Sequence, residues 1–93
     1  SIQTTNNKLI KHRLKLEELY IKISNKIDLV KDQNIKQVLI YLLRKVSTYQ
    51  KKISFLLNKE DQNYNFDLKE CLKVIKQIDD FLKENHDILD YYL

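Results

Sequence analysis

The sequence predicts an all-α protein, an antiparallel up-down-up bundle of three helices. Three observations carry that expectation. The 93 residues contain no Gly and no Pro. Apolar residues recur at spacings of three and four along most of the chain. Two polar interruptions alone, residues 31–34 and 58–65, break that period. Without Gly the positive-φ turns of tight β-hairpins are hard to build, which removes the support for an all-β chain. Three segments of matched length, each about 35–40 Å long as helices, pack naturally as a bundle when the loops are short.

The first helix is expected over about 5–30, with Leu9, Leu16, Tyr20, Ile23, Ile27 and Val30 on one face. The second is expected over about 34–57, aligning Ile35, Val38, Leu42, Val46, Tyr49, Ile53 and Leu56. The third is expected over about 67–91, aligning Leu68, Cys71, Ile75, Ile78, Leu82 and Leu89. Such stripes are what an amphipathic helix buries, and they name Leu16, Ile23, Leu42, Val46, Ile53, Ile75 and Leu82 as core. Asn34 with Gln37, and Asp67 with Glu70, have the spacing of capping boxes, with Asn65 a competing cap for the last helix. Residues 1–93 therefore read as one domain. The chain has no methionine, even at position 1, so it is expected to be processed or excised from a longer protein.

The same composition excludes several chemistries. Phosphate-cradling loops, dinucleotide fingerprints and nucleophile elbows all need Gly where the backbone turns sharply or approaches a ligand. A single cysteine, Cys71, allows no internal disulfide and no Cys-based zinc site; it lies on the core stripe and suits a reducing compartment. The longest apolar run, residues 38–43, is far short of the roughly 20 residues a membrane span needs. His12 and His86 read as ordinary surface histidines. His86 shares a face with Asp90, but Asp79, Asp80, Asp87 and Asp90 fall on different faces and do not gather a metal. No nucleophile, base and orienting group stand together, so neither catalysis nor a cofactor or metal is expected.

Charge is divided unevenly. Residues 1–59 hold 13 Lys/Arg and 4 Asp/Glu, a net of +9, whereas residues 60–93 hold 4 Lys and 9 Asp/Glu, a net of −5. Lys8, Lys11, Arg13, Lys15, Lys22 and Lys26 spread around the first helix and form no single stripe. A groove reader groups Arg, Asn or Gln on one exposed face, so no nucleic-acid partner is expected.

Apolar residues outside the core stripes point to protein binding. Ile10, Leu14 and Ile21 sit together on the first helix, more than about 90° from Leu16 and Ile23. Val74, Phe81 and Ile88 recur every seven residues on the third, about 100° from Ile75 and Leu82, beside Asp80, Glu84 and Asp87. Ile40, Tyr41 and Phe55 lie off the main stripe of the second. Exposed apolar surface rimmed by charge marks contact sites, and an aromatic anchor with acidic neighbours makes the Phe81 stripe the preferred one.

His12-Arg13-Leu14-Lys15-Leu16-Glu17 resembles the Leu-Arg-x-x-Leu-Glu opening of the GAT domain of trafficking adaptors, the family of GGA, target-of-Myb and yeast Las-seventeen-binding proteins. The run from Leu39 through Tyr49-Gln50-Lys51-Lys52-Ile53 to Leu57 is similar to that family's second helix, and residues 71–82 to its third. The similarity covers nearly the whole chain. Where the family usually has Asn-Asp on its third helix, this chain has Ile75-Lys76. The resemblance implies a three-helix, non-catalytic scaffold of endosomal, Golgi or cortical sorting, cytoplasmic, with membrane association only indirect through the full-length protein. It implies weak binding of ubiquitin or ubiquitinated cargo, and of helical accessory proteins. Glu18-Leu19-Tyr20 with Ile35-Lys36-Gln37-Val38-Leu39 is similar to a second family, the bacteriocin immunity proteins, which are cytosolic bundles of four helices. A further helical interaction or oligomerisation module is the remaining alternative.

Overall fold

The structure, a computed structural model, describes residues 1–61 and 67–93, with side chains given outside 59–61. It contains α1 (Ile2–Ile27), α2 (Gln33–Asp61), α3 (Leu68–Glu84) and α4 (His86–Tyr92), and no strand among the described residues. The chain is all-α, and the described residues form four helices where three were expected.

Helix α1 begins three residues before its expected start, because Ser1 caps it. The Ser1 hydroxyl accepts from the Thr4 amide at 3.2 Å, and the Thr5 hydroxyl donates to the Ser1 carbonyl at 3.0 Å. That second bond satisfies Thr5, a polar residue buried with the core. With no Gly available, α1 ends without a left-handed residue. The Lys26 carbonyl instead takes both the Leu29 and Val30 amides, at 3.0 and 3.1 Å. Helix α2 is capped by Asp32, whose carboxylate accepts from the Asn34 and Ile35 amides at 2.8 and 3.2 Å. The cap expected at Asn34 therefore moves two residues upstream, where a carboxylate also meets the positive end of the helix dipole. Asp67 caps α3 as its spacing predicts, accepting from the Glu70 amide at 3.0 Å. Asn65, the competing cap, lies outside the described residues.

The expected third helix is divided at Asn85. Its side-chain amide donates to the Phe81 carbonyl at 2.8 Å, competing with the backbone for an acceptor the helix would otherwise use alone. The chain then resumes helix as α4, with the Leu89 amide donating to the Asn85 carbonyl at 2.9 Å.

Leu16, Ile23, Leu42, Val46, Ile53 and Ile75 are buried as expected, while Leu82 is only half-buried against the core. Tyr20, Val38 and Leu68, placed on the expected stripes, are exposed, and Leu19 and Leu39 are buried in addition. The expectation of an exposed Val74–Phe81–Ile88 stripe is corrected as well. Val74 is 1% and Phe81 4% exposed, and Ile88 packs half-buried against the core. The reason is that α3 buries against two neighbours. Phe81 turns to α2, its ring 5.4 Å from that of Tyr49, while Leu82 turns to α1 beside Leu19. Residues about 100° apart on one helix can both be core when two partners flank it.

Residue numbers climb together along α1 and α3–α4. His12 meets Asp79, and further on Lys22 faces His86 and Asp90 across a cleft. Along α2 and α3 they run oppositely, with Lys52 beside Gln77 and Lys45 near Glu84. Helix α1 packs closely on both α2 and α3, whereas α2 and α3 meet over a narrower strip.

Leu42 is fully enclosed, so Leu42→Ala is expected to cost about 2–5 kcal/mol of unfolding free energy through lost transfer and a residual cavity. Urea denaturation of the two proteins measures it, and an unchanged midpoint would mean that this face of α2 is not the core.

Candidate functional site

Among the described residues several surfaces combine apolar side chains with charge, and two of them carry the residues expected to bind a partner. The first is the outer side of α1. Ile10, Leu14 and Ile21 fall within about 40° of one another on the helix and point away from the stripe of Leu9, Leu16 and Ile23. They are 39%, 60% and 53% exposed, as the sequence predicts. Glu17 and Glu18 border them. Glu18 bonds Lys22 at 2.9 Å, and that hydrogen bond, with Lys15 nearby, holds its carboxyl below the usual 4.5. The edge of the stripe thus carries both signs of charge, Glu17 and Glu18 together with Lys11 and Arg13, within a helix that is basic overall.

The second surface is the groove between α2 and α3, a cleft of about 400 Å3 that opens because those two helices touch only narrowly. Tyr49 and Phe81 form its floor. Lys45 and Lys52 stand on the α2 side, with their ammonium groups 5.6 and 5.7 Å from the centre of the Tyr49 ring. Such cations are attracted to the negative face of the ring. Glu84 and Asp80 stand on the α3 side. A second cleft of about 320 Å3 continues the groove toward Asp67 and Glu70, sharing Lys52 with the first and adding Phe55.

Of the residues expected to bind a partner, Ile10, Leu14 and Ile21 therefore share one exposed face. Asp80 and Glu84 line the groove, but Asp80 is engaged by Lys76 of its own helix at 2.9 Å, a bond that raises the lysine pKa above 10.5. Val74 and Phe81 are floor and core, not free anchors. The sequence reading missed Lys45, Lys52 and Glu70 as groove walls. Their signal was the seven-residue spacing of Val38, Lys45 and Lys52 and of Glu70, Gln77 and Glu84, which gains meaning only once α2 and α3 are known to be neighbours.

The remaining polar contacts include two histidine–aspartate pairs. His12 Nε2 lies 2.8 Å from Asp79 Oδ1, joining α1 to α3. His86 Nε2 lies 2.9 Å from Asp90 Oδ2, on the shared face that the sequence placed them on. Among the described residues no three His, Cys, Asp or Glu side chains group to hold a metal, and no helix is long and apolar enough to cross a membrane. No family model matches this chain, and no curated protein or solved structure matched it.

The burial of Phe81 has a direct consequence. Phe81→Ala is expected to destabilise the fold by about 3–5 kcal/mol, the range for a buried aromatic, and a thermal melt followed by circular dichroism reads it. A variant melting with the parent would return Phe81 to the surface.

Proposed function

We propose that this chain is a non-catalytic protein-binding module whose helices form an up-down-up bundle, with α4 extending α3. On this reading it acts in a sorting adaptor of the GAT type, peripheral to endosome, Golgi or cell cortex through the full-length protein, and binds ubiquitin weakly through the outer face of α1. The observation that carries the proposal is the exposed Ile10–Leu14–Ile21 stripe with Glu17 and Glu18 at its edge. An aliphatic patch beside acids suits ubiquitin, whose own aliphatic patch has basic neighbours. Single aliphatic side chains on a surface are ordinary, but three on one helical face opposite the core make a contiguous strip.

The strip is small, so association entropy consumes most of what its burial contributes. A dissociation constant on the order of 100 μM follows, or about −5 to −6 kcal/mol. The measurement is a titration of isotope-labelled chain with ubiquitin, followed by amide shifts. Shifts are expected to centre on Ile10–Ile21, and Leu14→Ala is expected to weaken binding by at least about 1 kcal/mol, roughly fivefold, without lowering the melting temperature. A silent spectrum at millimolar ubiquitin removes the reading.

One observation favours a second reading. The described residues form four helices, not three, and bacteriocin immunity proteins are four-helix bundles. Protection of bacteriocin-sensitive cells by the expressed chain, together with a silent ubiquitin titration, would select it.

A further inference from the structure

The charges along the α2–α3 groove make it complementary to itself, and we propose that this groove is the contact surface between two copies of the chain. On α2, Lys45 and Lys52 are seven residues apart, and so are the exposed Tyr41, Thr48 and Phe55. On α3, Glu70 and Glu84 stand on the opposite wall. Lines at seven-residue intervals stay on one edge of a helix as a second helix coils along it. Among the described residues no ion pair joins Lys45 or Lys52 to Glu70 or Glu84, and Lys52 instead donates across the groove to Gln77 Oε1 at 3.4 Å. Both walls keep charge open to water, and a second copy lying in the groove can pair with it.

Symmetry then chooses the body. A two-fold axis running along the groove turns the second copy so that its α2 edge lies over the α3 edge of the first, and the reverse. Lysines meet glutamates on both sides. Heights match too, since Lys45 and Glu84 line the same cleft and rotation about that axis leaves height unchanged. An axis across the groove would place lysine over lysine. The apolar contribution comes from Tyr41 and Phe55, each more than half exposed at the groove margin. From Val38 to Phe55 the α2 edge runs about 26 Å. A standard interface takes about 800 Å2 from each partner, roughly an eighth of the 6633 Å2 exposed here. The surface lies apart from the outer stripe of α1, so dimerisation and the proposed binding of ubiquitin are separable.

Sedimentation equilibrium from micromolar to millimolar protein tests the proposal. The mass is expected to climb from 11.3 kDa toward twice that value, and to climb less at high salt. The double variants Lys45→Glu/Lys52→Glu and Glu70→Lys/Glu84→Lys are each expected to raise the dissociation constant at least about tenfold, since like charges then face each other. Mixing the two is expected to restore the dimer, because each then carries what the other lacks. Circular dichroism checks that both fold, and where one does not, single Lys45→Glu and Glu84→Lys variants are mixed in the same way. Leu14→Ala is expected to leave the dimer intact. A parent protein that stays at 11.3 kDa to millimolar concentration overturns the proposal, including the case in which the groove holds a helix of another protein. So does a dimer indifferent to the charge reversals, or a mixture that stays monomeric.

Discussion

Helix α1 has to bury itself against two neighbours at once, and the rest of the structure follows from that requirement. Leu9, Leu16, Leu19 and Ile23 form a stripe of about 80° on α1, and both α2 and α3 pack on α1. The neighbours are held by α1 more than by each other. That division closes the core on the α1 side and leaves a groove on the other, floored by Tyr49 and Phe81. Interior packing is close enough that the floor is core: side chains deep in the groove are enclosed from below by the same leucines and isoleucines that seat α1.

Electrostatics takes a secondary part in stability and a larger one in what the surfaces can meet. The pairs Glu18–Lys22, Lys76–Asp80 and His86–Asp90 each lie within one helix, at i and i+4, and are open to water. Exposed pairs of that kind add little to folding. His12 with Asp79 differs, because it ties α1 to α3 and brings the basic and acidic parts of the chain together. The uneven charge of the sequence is thus only partly consumed inside the molecule. What remains is arranged differently on the two surfaces: charges of both signs along an apolar strip on α1, and opposed basic and acidic walls along the groove. The two arrangements lie on separate faces.

The termini of the helices show how a chain without glycine manages its turns. Ser1, Asp32 and Asp67 take orphan amides at the start of α1, α2 and α3. At the ends, Lys26 and Phe81 carbonyls each accept more than one donor, and no residue there needs positive φ. The break at Asn85 belongs to this set. A residue that bonds the backbone through its side chain separates α4 from α3 without redirecting the core, since Leu89 is still buried.

The sequence by itself determined that the chain is helical, that Asp67 caps a helix, and that Leu16, Ile23, Leu42, Val46, Ile53 and Ile75 are core, while α2 runs to Asp61, four residues past its expected end. It also determined that Ile10, Leu14 and Ile21 share a face away from that core. All of these rest on local rules, because period and capping are properties of neighbours in the chain. Only the tertiary structure decided that Val74 and Phe81 are buried while Tyr20, Val38 and Leu68 are exposed. A helical stripe states which residues lie together, but the width of the buried arc depends on how many helices flank it and from which directions. The groove was hidden for the same reason. Lys45 and Glu84 are 39 positions apart in sequence, and they become opposite walls of one cleft only because α1 sets α2 and α3 side by side.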